Sequence, residues 1–288
     1  MRPPGEGDFR PIVIGDPTDR RLDDYRDLAV PAVRRRMETA TAPGFFIAEG
    51  LGVVQRLLGS DVAVRSVLAT PGRMGSLADA AQRRGVTAYV VEPDVLRRVV
   101  GFDLHRGVVA AAERPAPATV AAVAAPATVL AVLEGLNDHE NLGAVLRSAA
   151  ALGVDAVVLD PTCADPFYRR SVRVSMGAAF LVPIARATAW PDDLAALTRL
   201  GFRLVALTPT RDAVAIDDPA VLGDGRVAVM LGAEGPGLST AALDAADAVV
   251  RIPMYGEVDS LNVGHAAAIA FHHFAGRVRR SASLSSPQ

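Results

Sequence analysis

The sequence predicts an α/β protein with a smaller N-terminal domain and a larger C-terminal domain that contains a parallel sheet. Short apolar runs alternate with segments of helical periodicity in both halves of the chain. Strands that alternate with helices indicate a parallel sheet covered on both faces. Between the halves, residues 115–127 are rich in proline and small residues, which is typical of a linker and leaves room for one short helical turn. With 288 residues, 50% of them hydrophobic, the chain can fill two cores.

The N-terminal domain is predicted at residues 21–114, after a loose, flexible arm at 1–20 that is rich in glycine, proline and aspartate. A helical segment from Asp23 runs through Arg34, Arg35 and Arg36. Apolar residues at helical spacing from Val53 predict a second helix, and a third is expected around 78–84. Strands are predicted at 44–48, 64–69, 86–91 and 107–112.

The C-terminal domain is predicted at residues 128–276, followed by a serine-rich tail at 277–288 that we expect to be disordered. Its helices are predicted at 141–152, at 190–200, from Thr240, and at 261–275. Its strands are predicted at 128–133, 156–159, 203–207, 227–231 and 248–252.

Composition and charge exclude several classes of protein. No apolar run reaches the ~18 residues of a membrane span and no signal peptide opens the chain, so we expect a soluble, cytoplasmic protein. Cys163 is the only cysteine and the five histidines show no metal-ligand spacing, so neither a disulfide nor a metal site is expected. All 30 basic residues are arginines, with 17 against 15 acids in residues 1–115 and 13 against 17 in residues 116–288. A non-specific nucleic-acid binder would be more basic.

The first candidate motif runs from Asn141 to Arg147, at the start of a predicted helix. One apolar stripe follows this helix, formed by Leu142, Val145, Leu146, Ala149 and Leu152. Arg147 lies off the stripe, beside small residues that leave room for a ligand, and Asn141 stands where it can cap the helix. Taken alone, the segment is better explained as a capped surface helix with a solvated arginine.

The second motif is a glycine-rich turn, Gly232 to Gly237, after the predicted strand at 227–231. It lacks the glycine order of the dinucleotide fingerprint and the lysine of a phosphate loop. Glycines let a backbone approach a ligand closely. An ordinary strand-to-helix turn would leave Glu234 unexplained, because this acid stands at the carboxyl end of a strand, where α/β sheets bind ligands.

The third motif runs from Asp259 to Ala270 and opens the last predicted helix. Ser260 can cap a helix that begins at Leu261, and the alanines that follow suit close packing. A capped packing helix explains every residue except Asn262. We therefore expect Ser260 and Asn262 to direct hydrogen-bonding groups into the same crevice as Glu234.

Two arginine clusters are candidates for contacts with phosphate groups. The first is Arg34 to Arg36, and the second comprises Arg169, Arg170 and Arg173. A solvated surface is the alternative for both clusters, slightly favoured for the first and equally good for the second.

The three motifs, in this order and spacing, resemble those of the SpoU-type RNA ribose 2′-O-methyltransferases, a family of the knotted methyltransferase superfamily. The resemblance covers about residues 128–275. The first half, with the segments 46–50 and 105–107, is similar to the ribosomal-protein-like substrate-binding domain of the members that modify ribosomal RNA. Together they imply S-adenosylmethionine as methyl donor, a deep trefoil knot, a homodimer formed by the knotted domain, and RNA as substrate, with 23S ribosomal RNA favoured.

The resemblance also assigns residues by position. Catalytic-site positions fall on Asn141, Arg147, Glu234, Ser260 and Asn262. Cofactor contacts fall on Leu207, Thr208, Gly232, Ala233, Glu234, Gly235, Gly237, Ile252, Pro253, Met254, Ser260, Leu261 and Asn262.

The chemistry limits what Arg147 can do. A sulfonium methyl group is already activated, so the enzyme must align it with the ribose oxygen and help to remove the hydroxyl proton. Because a guanidinium is essentially always protonated, we interpret Arg147 as a group that grips the target phosphate and stabilises charge on the ribose oxygen, with the base role left open. Glu234 and Asn141 would orient it.

Three alternatives remain open at the level of the sequence. One is a transfer-RNA ribose methyltransferase, and another is a non-catalytic RNA-binding relative, which would lack Arg147 or Asn262. A methyltransferase for small molecules or proteins would not need the N-terminal domain. Members of the resembled family include enzymes that protect ribosomes from antibiotics, so a resistance role is as open as a housekeeping one.

Overall fold

The computed structural model describes residues 10–30, 44–104, 106–218, 221, 225–256 and 258–284. The chain divides into two compact units, and each is described separately. Unit 1 comprises Met1–Ala116 and Phe167–Phe180, and unit 2 comprises Pro117–Pro166 and Leu181–Gln288.

Strands and helices alternate along the described chain, as predicted. The strands are β1 (Ile12–Val13), β2 (Phe45–Glu49), β3 (Val64–Ala69), β4 (Thr87–Val90), β5 (Val108–Glu113), β6 (Val129–Glu134), β7 (Ala156–Leu159), β8 (Ile184–Arg186), β9 (Phe202–Leu207), β10 (Val214–Ala215), β11 (Arg226–Gly232) and β12 (Ala248–Arg251). The α-helices are α1 (Leu51–Leu58), α2 (Pro71–Met74), α3 (Ala78–Arg83), α4 (Pro93–Val100), α5 (Val120–Ala124), α6 (His139–Leu152), α7 (Arg169–Val174), α8 (Asp192–Arg199), α9 (Thr240–Asp244) and α10 (Val263–Leu284).

Unit 1 contains a five-stranded mixed sheet in the order β1-β4-β3-β5-β2. The pairs β1–β4 and β3–β4 are parallel, whereas β5 runs antiparallel to β2 and β3. One face packs on α1 and α3, and the other buries Leu22 and Tyr25 of a 3-10 helix together with α4. The Tyr25 hydroxyl lies 2.7 Å from the Ser66 hydroxyl, and burial raises the pKa of Tyr25.

The segment Phe167–Phe180 joins unit 1 although its neighbours in sequence belong to unit 2. The rings of Phe167 and Phe180 lie 5.3 and 5.5 Å from the ring of Phe46, and the Arg56 guanidinium donates to the Met176 carbonyl. The predicted domain at 128–276 did not anticipate this exchange, because the sequence marks residues 169–173 only as a basic cluster.

Unit 2 contains a seven-stranded sheet, all of whose pairs are parallel, in the order β10-β12-β9-β11-β6-β7-β8. The predicted parallel α/β architecture is therefore confirmed. The chain leaves β6 toward β7 and β8 on one side and returns to β9, β11 and β12 on the other. In open α/β sheets, ligands bind at the carboxyl ends of the strands where the strand order reverses in this way. We therefore expect a ligand site at the carboxyl ends of β6 and β11.

Several element bounds differ from the sequence-based expectations. Helix α10 continues to Leu284, past the predicted end at 275 and into the tail that we expected to be disordered. Helix α5 lies in the predicted linker, where Thr119 caps it, and β1 lies in the predicted arm, where it pairs with β4. The predicted helix through Arg34–Arg36 lies outside the described residues. Within the described chain, no helix is long and apolar enough to cross a bilayer.

Candidate active site

A cavity of about 560 Å³ lies at the carboxyl ends of β9, β11 and β12 and the start of α10. The residues that line it are Leu207, Thr208, Pro209, Leu231, Gly232, Ala233, Glu234, Gly235, Gly237, Ile252, Met254, Asp259, Ser260, Leu261, Asn262, Val263 and Ala266. Every residue predicted for cofactor contact is among them except Pro253. The second and third motifs therefore meet around one space, called here the first cavity.

The glycine turn folds back on itself at the wall of the first cavity. A Cβ atom on Gly232 would overlap the backbone of Gly237 and Leu238, so only glycine fits there. The Gly237 amide donates to the Ala233 carbonyl at 3.0 Å. Gly235 and Gly237 have φ angles of 90° and 72°, which favour glycine. The glycines thus serve the turn itself, and the turn presents Glu234.

Asn262 connects the three motifs. Its Nδ2 group donates to Asn141 Oδ1 at 2.9 Å and to Glu234 Oε1 at 2.7 Å, and its Oδ1 accepts from the Gly264 amide at 2.9 Å. Only one orientation of the side-chain amide satisfies both the carboxylate and the backbone N–H, so the orientation is determined by its partners. The Asn141–Glu234–Asn262 cluster is therefore held together by its own hydrogen bonds.

Two predicted helix caps are wrong, and the correction explains this cluster. Asp138 caps α6 by accepting from the amides of Glu140 and Asn141, both at 2.9 Å. Asn262, not Ser260, caps α10, because the helix begins two residues later than predicted. With Asp138 in the capping role, the Asn141 side chain is available to accept from Asn262.

Close packing of α6 and α10 brings the cluster together. A Cβ atom on Gly264 would lie 2.8 Å from the Cβ of Ala144, closer than such atoms approach. The small residues predicted to leave room beside Arg147 thus accommodate α10. Asn262, two residues before Gly264, is consequently held next to Asn141.

A second cavity of about 620 Å³ adjoins the first. Ala233, Glu234, Gly237 and Val263 line both cavities. The remaining residues that line the second cavity are Glu134, Gly135, Leu136, Asn137, Asp138, Asn141, Asp160, Thr162, Pro236, Leu238 and Ser239. An occupant of the second cavity would therefore lie next to an occupant of the first, with Glu234 between them.

Asp160 shapes the floor of the second cavity. Its side chain accepts from the amides of Thr162 and Cys163 and from the Thr162 hydroxyl, at 3.1, 2.8 and 2.7 Å. Burial opposes its ionisation, but these hydrogen bonds outweigh burial and lower the pKa of Asp160. Burial raises the pKa of the neighbouring Cys163 thiol to about 12. Cys163 is therefore an unreactive packing residue.

The structure does not bring Arg147 to the cluster. Its side chain is exposed and lines neither cavity, and none of the hydrogen bonds or ion pairs among the described residues involves it. Asn141 and Glu234, which we expected to orient it, instead bond to Asn262.

The predicted RNA-contacting arginines divide into two groups. Arg169 is half-buried, with its Nε atom 3.9 Å from Glu49 Oε2 and its guanidinium 4.7 Å from the Phe102 ring centre. Arg170 and Arg173 are exposed on α7. Arg34, Arg35 and Arg36 lie outside the described residues. Among the described residues, no group of three or more His, Cys, Asp or Glu side chains could hold a metal ion.

Sequence reasoning missed Glu134 at this site. It ends the apolar strand β6 and is only 8% exposed, yet its carboxylate accepts three hydrogen bonds beside the glycine turn. An acid directly after a run of five apolar residues was the available signal.

A parallel α/β unit with a ligand cavity at the carboxyl edge of its sheet, walled by a glycine turn and an ordered amide–carboxylate cluster, defines an enzyme that binds an organic cofactor. Residues 128–272 match the SpoU rRNA methylase family, and residues 47–118 match the RNA 2′-O ribose methyltransferase substrate-binding domain. The chain belongs to the SpoU rRNA methylase family and is an RNA methyltransferase.

Relatives of this chain carry names of the same kind. A Mycobacterium tuberculosis protein named as an uncharacterized tRNA/rRNA methyltransferase is 50% identical over 260 residues, covering 90% of each chain. The 23S rRNA (guanosine-2′-O-)-methyltransferase RlmB of Xanthomonas axonopodis is 35% identical, over 72% of this chain and 86% of the relative. The solved structure of an AdoMet-bound rRNA methyltransferase from Sinorhizobium meliloti superposes with a TM-score of 0.75 at 25% identity, covering 92% of this chain and 97% of the other.

Proposed function

We propose that this chain transfers a methyl group from S-adenosylmethionine to a ribose 2′-hydroxyl of ribosomal RNA, with 23S rRNA as the substrate. The observation that carries the proposal is the Asn141–Glu234–Asn262 cluster on the wall between two adjoining cavities. Two adjoining cavities suit a reaction between a cofactor and a separate acceptor. The relatives named as 23S rRNA 2′-O-methyltransferases support the choice of RNA.

The first cavity fits the proposed methyl donor. Leu207, Leu231 and Ile252 provide apolar surface for an adenine ring, and the glycine turn allows a ligand to approach its backbone. None of the described residues lining this cavity is cationic, while Glu234 and Asp259 supply carboxylates. This charge distribution favours a ligand with a positive sulfonium and ammonium group. When bound, S-adenosylmethionine supplies a methyl group already activated for transfer.

The second cavity is where we place the acceptor ribose. Asn262 uses the Oδ1 atom of Asn141, which leaves the Asn141 Nδ2 group to donate to a ribose oxygen. Asn262 likewise uses Oε1 of Glu234, which leaves Oε2 to accept from a ribose hydroxyl. The cluster would thus hold the hydroxyl at the shared wall, where orientation contributes most to the rate.

Arg147 supplies the remaining charge in this proposal. Its exposed guanidinium can form two parallel hydrogen bonds to an RNA phosphate and stabilise negative charge that develops on the ribose oxygen. Arg147 would therefore act only once RNA is bound, unlike the cluster.

Unit 1 is proposed to select the RNA. Residues 47–118, nearly all of them in unit 1, match the substrate-binding domain, and Arg170 and Arg173 are exposed on α7 of the same unit. Arg169, which stacks on Phe102 and lies close to Glu49, is better suited to holding α7 in place.

The homodimer is also proposed. Apolar side chains that would normally be buried are exposed on the segment before α10 and on α10 itself, with Tyr255 99%, Val258 67% and Ile269 42% exposed. A second copy of the chain would cover them. Light scattering of the wild type and of Ile269→Arg tests this proposal, since the variant should be monomeric.

The deep trefoil knot stays a prediction from the family resemblance.

Methyl incorporation tests the function directly. The chain is incubated with methyl-tritiated S-adenosylmethionine and unmodified transcripts of 23S rRNA or tRNA, and the digested nucleosides are identified by mass spectrometry. We expect a 2′-O-methyl nucleoside from 23S rRNA. Label confined to tRNA would support the transfer-RNA alternative, label on a base would contradict ribose methylation, and RNA binding without label would indicate a non-catalytic relative.

A further inference from the structure

The side chain of Glu134 is a buried acceptor for three hydrogen bonds. Glu134 ends β6, where its neighbour across the sheet is Gly232, the first residue of the glycine turn. Its Oε1 accepts from the Trp190 indole N–H and from the Ser239 hydroxyl, both at 2.7 Å. Its Oε2 accepts from the Ser239 amide at 2.8 Å. None of the roles assigned above uses this carboxylate.

These bonds hold the far end of the glycine turn. Ser239 follows the turn directly after Leu238 and caps α9, since its hydroxyl oxygen accepts from the Ala242 amide at 3.2 Å. Its amide, its hydroxyl proton and its hydroxyl oxygen are therefore all engaged. Glu134 thus contacts both ends of the turn, Gly232 through the sheet and Ser239 through its side chain.

Trp190 extends the same contact. It is the only tryptophan of the chain, and it packs against the core of unit 2 while its indole N–H donates to Glu134. A change in the position of the turn that moves the Glu134 carboxylate would therefore alter the surroundings of this one indole.

We infer that Glu134 is a positioning residue of the cofactor site, which holds the glycine turn in its binding conformation before the ligand arrives. A turn with three glycines has many accessible conformations, and fixing it in advance lowers the entropic cost of binding. A carboxylate is required because three donor groups converge on it. The NH₂ group of a side-chain amide is itself a donor and can accept from none of them. The inference rests on the proposed cofactor.

Glu134→Gln removes this match with almost no change in shape. In either orientation of the amide, its NH₂ group faces at least one of the N–H donors, Trp190 Nε1 or Ser239 N, so one hydrogen bond becomes a repulsive contact. We expect about tenfold weaker binding of S-adenosylhomocysteine by calorimetry, since a buried unpaired donor carries a penalty of this order. At saturating S-adenosylmethionine, the turnover rate should stay within about threefold of wild type, because bound ligand restores the turn.

Asp155→Ala is the matched control, because all three hydrogen bonds to Asp155 reach Oδ2 and the oxygen of an asparagine could keep them. The Asp155 carboxylate also accepts three hydrogen bonds, from the Thr128 amide and hydroxyl and from the Val129 amide, at 2.8, 3.1 and 2.9 Å. It contacts the opposite end of β6 and lines neither cavity. Both variants should lower the melting temperature, but only Glu134→Gln should weaken ligand binding.

Trp190 fluorescence supplies a second measurement on the full chain. Because the turn is already in place in the wild type, titration with S-adenosylhomocysteine should leave the emission of this single tryptophan nearly unchanged, whereas in Glu134→Gln, where bound ligand restores the turn, the emission should change. Equal ligand affinity in Glu134→Gln and wild type, with a lower melting temperature, would overturn the inference and leave Glu134 a structural residue. If Glu134→Gln does not fold, Ser239→Ala replaces it, and an unchanged affinity there overturns the inference as well. A wild-type chain that binds no S-adenosylhomocysteine contradicts the proposed cofactor and overturns the inference with it.

Discussion

Asn141 and Arg147 lie on one helix and belong to one motif, but their side chains differ in hydrogen bonding and in exposure. Asn141 is bonded to Asn262 and lines the second cavity, next to Glu234. Arg147 is exposed, with no bonded partner in the described part of the chain. In the proposed mechanism, the hydrogen-bonded cluster that contains Asn141 is the organised half of the site, and Arg147, which acts once RNA is bound, is the other half. Substitutions at the two positions should therefore impair methyl transfer in different ways.

Arg147→Ala should have the largest effect. Loss of a donor that stabilises the developing charge costs on the order of 10²–10³ in rate, measured as single-turnover methyl transfer to 23S rRNA. Because Arg147 is exposed, the melting temperature and cofactor affinity should not change. Arg147→Lys should restore little activity, since an ammonium cannot form the paired contact to a phosphate. Near-wild-type transfer by the alanine variant would show that Arg147 is a surface residue.

Asn262→Asp should have the next largest effect, and it tests the organised half. The new carboxylate keeps the cap on the Gly264 amide but places an oxygen against Glu234 Oε1 and Asn141 Oδ1. We expect a loss of roughly 10–100-fold in kcat/KM, with a small change in melting temperature. The deficit should shrink at lower pH, because a protonated carboxyl group can again donate. A pH-independent deficit would argue against the hydrogen-bonded cluster.

Asn141→Ala should have a smaller effect, with a different signature. Asn141 lines only the second cavity, so affinity for S-adenosylhomocysteine should stay within about twofold while methyl transfer falls about tenfold. Asn137→Ala is the control, since Asn137 lines the same cavity outside the cluster. Equal losses in the two variants would remove the special role of the Asn262 contact.

Charge reversal of Arg170 and Arg173 should have the smallest effect. The double glutamate variant should raise the KM for RNA several-fold and flatten its salt dependence, by about one unit of slope for each lost phosphate contact, with cofactor affinity unchanged. The control is the same change at Arg97 and Arg98, which are exposed on α4 of the same unit. A truncated chain that began near residue 121 would test RNA selection by unit 1 less well than these substitutions. It would lose Phe46, against which Phe167 and Phe180 pack.

Local sequence patterns predicted most of the fold. Nine of the twelve described strands begin and end within one residue of their predicted bounds, because strands that are buried on both faces leave continuous apolar runs in the sequence. The missed strands β1, β8 and β10 have two or three residues each, too few to show a period. The positions that the family resemblance assigned to cofactor contact line the first cavity, apart from Pro253.

The sequence by itself determined the α/β order, the glycine turn and the set of polar residues available to the site. Only the tertiary structure decided how those residues pair. Asn262 meets Asn141 and Glu134 meets Ser239 across separations of more than 100 residues, and α7 crosses into unit 1. Such pairings depend on strand order and on the close approach of two helices. Neither can be read from the local periodicity of the sequence. The same residue types can cap a helix or form part of a site, and the tertiary contacts determine which of these roles each residue has.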